Sequence, residues 1–554
     1  MARVVNSRIR LLLLLIVVAF AVLLARSAWI ATVQAASLSS FAQAQTKATI
    51  VLPAGRGTIY DATGSSLALG EQATTVFADP HEVIRPRTEA ATAARVLGLK
   101  PNDVLHAIST PKTHFVYVLR KAAPRLATLL AAKKLPGFHF QPEERRTYPQ
   151  SAVAAQVLGY AGIDNTGLSG LELQLNPQLT GTPGSQTMVR DPTGRTISIQ
   201  SVTPARDGKS AFLTLDHTIE TNAEQVLRAT VATYHAKSAT AIVIEPKTGN
   251  VLAMATQPGY DANLVGKRGL QNNPAVTNVF EPGSVFKVVT IAGALSEGLV
   301  SPSTRFTLPY SIHVADRVIH DAEMRGTETM SVSQILQRSS NVGTVTIAST
   351  LLGETRLKKW ITQFGFGQRT GIDFPGETPG LLPSYWSGST IGNVPIGQGV
   401  SVTAMQLASV YGAIANGGVW KQPHLVDHIQ GEKPAPVRTR RILSPHVDKQ
   451  LLTMLKGVVS DAGTAAAASV PGYSVAGKTG TAQKPSPTGG YAPGKYVATF
   501  VGMVPANNPR LVILVTVDEP KLAIFGGVVA APAFAQIAAF DLQYLEVPPD
   551  LPLR

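Results

Sequence analysis

A serine and a lysine three residues apart stand directly before a long apolar run. Ser284 and Lys287 follow Pro282 and Gly283, and residues 288–295 continue as an apolar segment. The Pro-Gly step predicts a sharp helix start with Ser284 in the first turn, and the spacing of three places both side chains on one helix face. A lysine amine kept neutral by burial or nearby cations can take the serine proton. The pair indicates acyl-transfer chemistry, although the tetrapeptide alone is common by chance.

A second polar string follows the helix-like residues 332–336 and contains Ser339 and Asn341. By itself, such a string most often forms the C-terminal turn of a helix, with the asparagine in a left-handed conformation. In a catalytic site, Ser339 could instead relay a proton between Lys287 and a leaving group. The Asn341 amide could then bind a substrate carbonyl. The residues alone leave both interpretations open.

A third string, Lys478-Thr479-Gly480-Thr481, lies in a strand-like segment with small residues. Its simplest interpretation is an exposed hairpin edge. A functional interpretation is that the two threonine hydroxyls, with the charge of Lys478, hold a peptide carboxylate while the peptide lies beside the strand as an additional strand. A side chain at Gly480 could block that approach.

The elements that must position these strings can be predicted from apolar patterns. Residues 241–254 indicate two strands about a tight turn, residues 496–504 and 511–518 indicate two more, and residues 405–415 indicate a helix between them. Strands therefore lie near both ends of the segment that starts at about residue 206, with helices between them. This order predicts one α/β (α+β) domain whose sheet is assembled from both ends of that segment. Residues 34–205 mix short elements with many Pro and Gly and contain no catalytic constellation, which makes them a structural or interaction module.

Composition limits the function classes. The 554 residues imply two or more domains, and 44% hydrophobic residues can form substantial cores. The absence of cysteine excludes disulfides, a cysteine nucleophile and cysteine-ligated zinc. The net charge of +14 comes without a basic run or the aromatic-basic interleaving of nucleic-acid binders, so it favours an anionic envelope setting over nucleic acid.

The N-terminal segment has the pattern of a membrane anchor. Basic residues including Arg10 precede an apolar run of residues 11–25, and apolar character continues past Arg26 to Trp29. Residues 11–33 are long enough to span a bilayer, and the positive charge before them predicts an N-terminus inside. The alternative is a cleaved signal peptide, since residues 33–35 resemble a cleavage site. The interfacial Trp29 beyond Arg26 favours the uncleaved anchor.

The order Ser-x-x-Lys, Ser-x-Asn, Lys-Thr-Gly resembles the penicillin-recognising enzymes, and specifically the class B penicillin-binding proteins. The resemblance covers about residues 50 to 540, and the segment 279–284 looks most like the division-type subgroup. One departure is Ala62, where the family usually has arginine after the aspartate. Further strings that carry the resemblance are Arg56-Gly57-Thr58-Ile59 with Asp61, Arg146-Thr147-Tyr148-Pro149, Gly167-Leu168-Ser169-Gly170-Leu171-Glu172, Gly397-Gln398-Gly399 and Ala415-Asn416-Gly417-Gly418.

The resemblance implies a role for each site residue in a peptidoglycan D,D-transpeptidase. Ser284 would be acylated by the donor stem peptide with loss of the terminal D-alanine, and Lys287 would be the general base. Ser339 and Asn341 would support proton transfer and bind the donor, and residues 478–481 would line the substrate strand. An amine from a second stem peptide would resolve the acyl-enzyme and form the cross-link.

The resemblance also implies an oxyanion hole formed by the backbone N–H groups of Ser284 and Thr481. Penicillin would remain attached to Ser284. No cofactor and no metal are expected. The implied architecture is a penicillin-recognising serine transpeptidase fold at residues 206–546, preceded by an elongated stalk and dimerisation-type pedestal at 34–205. Residues 11–33 would be the transmembrane anchor, between a cytoplasmic tail of residues 1–10 and the pedestal, and residues 547–554 a C-terminal tail.

The expected partners are stem peptides, β-lactams, the membrane, a SEDS-family glycosyltransferase and other divisome proteins, but not nucleic acid. The expected location is the cytoplasmic membrane, single-pass, with the catalytic domain outside and a role in septal wall synthesis. An elongation-type enzyme is the main alternative. A β-lactamase, a D,D-carboxypeptidase or a β-lactam sensor would share the acylation chemistry, but β-lactamases are usually single soluble domains and sensors need a cytoplasmic effector.

Overall fold

The computed structural model of the chain describes residues 2–110, 113–190, 196–267, 272–487 and 489–552. Met1 of the predicted cytoplasmic tail and residues 553–554 of the predicted C-terminal tail lie outside the described residues. The chain divides into two compact units, one formed by residues 1–55 with 181–208 and the other by residues 56–180 with 209–554. The domain boundaries predicted from the sequence stay a prediction.

The helices and strands in chain order are as follows. The α-helices are α1 (Ala2–Thr32), α2 (Ala35–Thr46), α3 (Pro86–Leu97), α4 (Pro101–Ile108), α5 (Pro124–Ala131), α6 (Ala155–Leu158), α7 (Gly170–Gln174), α8 (Asn176–Leu179), α9 (His217–Tyr234), α10 (Pro274–Thr277), α11 (Lys287–Ser296), α12 (Val332–Gln337), α13 (Asn341–Thr346), α14 (Gly353–Gln363), α15 (Thr390–Asn393), α16 (Ala404–Ala415), α17 (Pro445–Val458) and α18 (Gly526–Tyr544). The strands are β1 (Lys47–Leu52), β2 (Ile59–Tyr60), β3 (Ser66–Ala78), β4 (Val116–Ala122), β5 (Phe138–Thr147), β6 (Gly184–Arg190), β7 (Thr196–Thr203), β8 (Ala211–Leu213), β9 (Ser238–Ile244), β10 (Val251–Gln257), β11 (Arg305–Leu308), β12 (Ser311–Val314), β13 (Arg317–His320), β14 (Glu328–Ser331), β15 (Val419–Lys421), β16 (Val426–Ile429), β17 (Thr439–Arg441), β18 (Ala476–Pro485), β19 (Tyr491–Val504) and β20 (Leu511–Asp518). Short 3₁₀ helices lie at Ala262–Lys267, Gly283–Phe286, Val394–Ile396 and Ala466–Ala468, and a π-helix at Ile347–Leu352.

The smaller unit contains the N-terminal helices and a three-stranded antiparallel sheet in the order β1-β6-β7. Within α1, Asn6–Thr32 is a 27-residue apolar helix with a mean hydropathy of 2.7 and no buried surface. Among the described residues it is the one helix long and apolar enough to cross a membrane. A helix suits that environment because it satisfies its backbone hydrogen bonds internally.

The sequence strings of the pedestal meet in a buried ion-pair network. Glu172 is fully buried, and its two carboxylate oxygens accept hydrogen bonds from Nε of Arg56 at 2.7 Å and from Nε of Arg146 at 2.6 Å. Arg146 also donates to the carbonyl of Gly57 at 2.8 Å, and the Tyr148 hydroxyl donates to Glu172 at 3.3 Å. Removing one partner of a buried ion pair typically costs about 3–5 kcal/mol. These strings therefore form the polar core of this part of the chain.

The catalytic sheet has five antiparallel strands in the order β10-β9-β20-β19-β18. Strand β9 pairs with β20, so the prediction of a sheet assembled from both ends of the segment is confirmed. Successive residues of β9 and β20 are buried because helices cover both faces of the sheet, including α9, α16 and α18. Strand β18 is at the edge, so its outer backbone groups pair with no further strand of this sheet among the described residues.

Candidate active site

Ser284 lies in a tight turn at the start of a buried helix. The 3₁₀ turn Gly283–Phe286 runs directly into α11, so the prediction that Ser284 occupies the first turn is confirmed. Gly283 has a φ of +57° and donates its N–H to the carbonyl of Gly397 at 3.1 Å. A Cβ on Gly397 would lie 2.2 Å from the Gly283 carbonyl oxygen, so this approach requires glycine. The Ser284 side chain is half-buried, and its hydroxyl has no hydrogen-bond partner among the described residues.

Glu281 connects this turn to two segments that are distant in sequence, and sequence reasoning missed its role. Its carboxylate accepts the N–H of Gly399 at 2.8 Å and the hydroxyl of Tyr491 at 2.9 Å. Glu281 is buried, and burial raises the pKa of its carboxyl. An acidic residue inside an otherwise apolar and turn-forming segment was the available sign. Its partner Tyr491, 210 residues later, was not predictable from local pattern.

Lys287 is fully buried one helical turn beyond Ser284. Its Nζ donates to the carbonyl of Ser339, and to Oγ of Ser339 at 3.1 Å. Burial holds the pKa of Lys287 well below its ordinary value, and the positive charge of Lys478 lowers it further, whereas Asp321 opposes the shift. Burial and a nearby cation are the two conditions under which a lysine amine can act as a base, and Lys287 meets both.

The Ser339–Asn341 string is a sharp link between α12 and α13. Ser339 has a φ of +58°, and Ser340 caps α13 by accepting the N–H of Gly343 at 2.9 Å. The interpretation in which Asn341 is left-handed is wrong, because Asn341 is the first residue of α13 and the left-handed residue is Ser339. This conformation accompanies the contact of the Ser339 carbonyl with Lys287. The Asn341 side chain donates to the carbonyl of His320 at 2.9 Å.

Asp321 is a second residue that sequence reasoning missed. It is buried, accepts the Ser340 hydroxyl and the N–H of Val342, each at 3.0 Å, and pairs with Arg325 at 2.6 Å. The carboxylate ties the Ser339 link to the end of β13. Asp321 therefore acts as a positioning residue for the link and as a nearby negative charge for Lys287.

The third string lies on the edge strand β18. Lys478 is fully buried, its Nζ lies 3.3 Å from Oγ1 of Thr479, and burial lowers its pKa to about 7. The Thr479 hydroxyl lies 2.7 Å from the hydroxyl of Thr464. The half-buried Thr481 accepts the N–H of Gly526, the first residue of α18, at 3.1 Å. The Thr479 hydroxyl therefore has two protein partners, Lys478 and Thr464, and the Thr481 hydroxyl has one, Gly526.

Gly480 lies where β18 meets the Ser284 turn, and its predicted place beside the substrate stays a prediction. A Cβ at this position would lie 2.9 Å from the carbonyl of Pro282 and 3.1 Å from a methyl carbon of Val285. It would therefore meet the protein's own Ser284 turn, and the absence of a side chain allows β18 to pack directly against that turn. Together with the Lys287–Ser339 contacts, this packing brings all three predicted strings into one site.

Metal-ligand geometry occurs elsewhere in the described part of the chain. Two groups of carboxylate and imidazole side chains have ligand atoms within 4.8 Å of one another, namely Asp79 with His81 and His114, and Asp61 with Asp216 and His217. Neither group includes a residue of the three strings. What the candidate site itself offers is a nucleophile, an amine base and hydroxyl donors.

We expect Thr481→Val to slow acylation by benzylpenicillin about tenfold or more. The hydroxyl would bind the ligand carboxylate, and a hydrogen bond to a charged group contributes roughly 1.5–3 kcal/mol. The second-order acylation constant, measured by stopped-flow or competition labelling, reports the effect. Thr481→Ser is the matched control, because it keeps both the hydroxyl and the acceptor for Gly526 and should stay within a few-fold of the unmodified protein. An unchanged constant in the valine variant would refute the role.

Comparison with known proteins identifies the family. The penicillin binding protein transpeptidase domain matches residues 239–539, and the penicillin-binding protein dimerisation domain matches residues 51–213. The penicillin-binding protein PbpB of Mycolicibacterium smegmatis is 34% identical over 567 residues, covering 93% of this chain and 87% of the relative. The peptidoglycan D,D-transpeptidase FtsI of Escherichia coli K12 is 31% identical over 564 residues, covering 99% and 94%.

Solved structures agree with these relatives. Penicillin-binding protein 3 of Mycobacterium tuberculosis, crystallised with aztreonam, superposes with a TM-score of 0.71 at 32% identity over 91% of this chain and 99% of that one. The same protein with ampicillin gives a TM-score of 0.72. The matched domains span most of the chain and include all three strings of the site. The chain belongs to the class B penicillin-binding proteins.

Proposed function

We propose that this peptidoglycan D,D-transpeptidase forms its cross-links through an acyl ester on Ser284, with Lys287 as the general base. The observation that carries the proposal is the buried Lys287 amine, one turn from Ser284, in contact with Ser339 and with a strongly lowered pKa. A neutral amine in this position can accept the serine proton as the hydroxyl oxygen attacks.

In the proposed acylation step, Ser284 forms an ester with the donor and the terminal D-alanine is released. The Ser284 oxygen attacks the carbonyl carbon of the penultimate D-alanine of the donor while Lys287 accepts the hydroxyl proton. Ser339, hydrogen-bonded to Lys287, passes a proton to the nitrogen of the terminal D-alanine and regains one from Lys287. The C–N bond breaks, and D-alanine leaves as a free amino acid. In the second step, the amine of an acceptor stem peptide attacks the ester carbonyl and a new amide forms. The proton lost by that amine restores the Ser284 hydroxyl.

The donor peptide is proposed to lie along the open edge of β18. Its C-terminal carboxylate would accept hydrogen bonds from the hydroxyls of Thr479 and Thr481, with Lys478 as the nearby positive charge. Asn341 would bind a donor amide group. The backbone N–H groups of Ser284 and Thr481 would stabilise the negative oxygen of the tetrahedral intermediate. The close packing of β18 on the Ser284 turn supports this arrangement.

The penicilloyl ester on Ser284 is expected to persist for many minutes at least. A transpeptidase must protect its acyl-enzyme from water until an amine arrives. Incubation of the purified protein with benzylpenicillin, removal of excess ligand, and intact-protein mass spectrometry over hours measure the lifetime of the adduct. A chromogenic cephalosporin serves as the complementary substrate. Its rapid, repeated hydrolysis would instead support a β-lactamase and would contradict the proposal.

We further propose a septal role at the cytoplasmic membrane, with the N-terminus inside and the catalytic domain outside. The N-terminal helix supports single-pass anchoring, and the basic residues before its apolar run support the orientation. The resemblance of residues 279–284 to the division-type subgroup supports septal synthesis. By the same resemblance, the proposed partners are a SEDS-family glycosyltransferase and other divisome proteins.

Deletion of residues 1–36 is expected to release a soluble protein that benzylpenicillin still acylates. The truncated protein should no longer co-purify with the SEDS-family polymerase, and a fluorescent fusion should lose its position at the septum. The loss follows because the deletion removes the apolar helix but none of the residues of the catalytic sheet. N-terminal sequencing of the native protein provides the control for cleavage. A mature chain beginning near Ala36, or a full-length fusion confined to the lateral wall, would contradict the anchored septal enzyme.

A further inference from the structure

A cavity of about 530 Å³ lies in the larger unit, residues 56–180 with 209–554. None of the residues of the three catalytic strings lines it. Its walls come from the segment that follows α14, from α16, and from strands β15 and β17. This volume is in the range of sites that hold small molecules. The side chains that give the cavity its chemical character are Arg369, Arg438, Arg440 and Trp420. We call it the arginine cavity.

The positive charge of the arginine cavity is not neutralised by the protein. Arg369 has no hydrogen bond or ion pair among the described residues. Arg438 donates to the side-chain amide oxygen of Gln422 at 2.8 Å, which is a neutral partner. The Arg440 guanidinium lies over the ring of Trp420, 5.6 Å from its centroid. Across the described part of the chain, none of these three arginines pairs with a carboxylate, so three positive charges face one concave space.

The wall behind these charges is held in a defined conformation. Trp420 donates its ring N–H to the hydroxyl of Ser409 at 2.5 Å. Gln406, buried at the start of α16, donates to the carbonyls of Gln368 and Pro379, each at 2.8 Å. Its side-chain oxygen accepts the N–H of Thr403 and so completes a capping box. These bonds fix the wall behind the arginines, so a bound ligand would order only the exposed arginine side chains.

We propose that the arginine cavity binds a small ligand that carries at least two oxyanion groups, either carboxylate or phosphate. The planar guanidinium group presents paired N–H donors that match both kinds of oxyanion. Arg440 lies in β17 and Arg438 directly precedes it on one wall, while Arg369 belongs to the wall formed by the segment after α14. A ligand with two separated negative groups can therefore contact both walls at once. Carboxylates of a free stem peptide and a pyrophosphate-type group are the two sources of this chemistry.

The test is calorimetric titration of the full-length protein with two probes, sodium pyrophosphate and a stem tetrapeptide with free carboxylates. We expect at least one probe to bind, and Arg369→Gln and Arg440→Gln each to weaken that binding at least tenfold. Lys433→Gln is the matched control, since it removes one positive charge from a neighbouring exposed loop that does not line the cavity. It should leave the affinity unchanged. Thermal unfolding of each variant confirms that it is folded.

The choice of probe separates the two sources. Binding of pyrophosphate alone assigns a phosphate ligand, binding of the tetrapeptide alone assigns a carboxylate ligand, and binding of both supports the shared oxyanion chemistry. If neither probe binds at millimolar concentration, the proposal is overturned. A tetrapeptide affinity that the two arginine variants leave unchanged would also overturn it, because that peptide would then be bound elsewhere, including at the Ser284 site.

Discussion

Ser284→Ala is expected to abolish acylation by benzylpenicillin and to leave the protein folded. The variant removes the only atom that would form the ester, so the rate should fall below detection. The Ser284 hydroxyl has no partner among the described residues, and the helix start depends instead on Gly283 and its contact with Gly397. The free energy of unfolding should therefore change by no more than about 0.5 kcal/mol.

Intact-protein mass after incubation with excess benzylpenicillin measures this loss, and denaturant unfolding measures stability. Ser303→Ala is the matched control, because Ser303 is an exposed serine outside the site. It should be acylated at the rate of the unmodified protein. Labelling of Ser284→Ala at that same rate would show that another residue is the nucleophile, whereas an unfolded variant would show that the hydroxyl has a structural partner.

Lys287→Met is expected to slow acylation by about 10²–10⁴-fold, the usual contribution of a general base. The methionine keeps an unbranched side chain in the buried space but removes the amine. Stability should change little, because the gain from replacing a fully buried polar group by an apolar one is opposed by the loss of the hydrogen bonds to Ser339. A fall in activity without a fall in stability distinguishes a catalytic from a structural lysine. Equal loss of both would contradict the proposed role of Lys287.

The pH dependence of acylation provides a second readout for Lys287. Below its pKa the amine is protonated and cannot act as a base, so the rate rises with pH through that pKa. Because burial and Lys478 lower the pKa of Lys287, this rise should be complete well below the pH at which an ordinary lysine titrates. Lys478, with a pKa lowered to about 7, is charged below that pH and neutral above it. If its charge helps to hold the ligand carboxylate, the rate should fall as pH rises through about 7.

Stopped-flow acylation between pH 5 and 10 tests both limbs of this profile. The rising limb should be absent from Lys287→Met, while the falling limb should remain because Lys478 is unchanged. A rate that continues to rise to pH 10 in the unmodified protein would show that the base titrates as an ordinary lysine. That outcome would exclude the buried, neutral Lys287 as the base.

Several features of this enzyme were determined by the sequence alone. The placement of Ser284 and Lys287 on one helix face follows from local helical periodicity, and α11 confirms the helix. The apolar patterns of residues 241–254 and 496–518 predicted strands that the sheet contains. The order of the three strings indicated the family. Each of these inferences depends on residues that are close in the sequence or on the order of motifs, which tertiary packing does not alter.

Other features were decided only by the tertiary structure. The left-handed residue is Ser339, whereas one of the two interpretations of the sequence placed it at Asn341. Its conformation accompanies the contact of its carbonyl with Lys287, and the adjacent Ser340 bonds to Asp321. Gly480 is small because β18 packs on the Ser284 turn, and Glu281 is held by Tyr491. A turn adopts one of several locally similar conformations according to the partners that packing supplies. Those partners lie tens to hundreds of residues away, and local pattern contains no information about them.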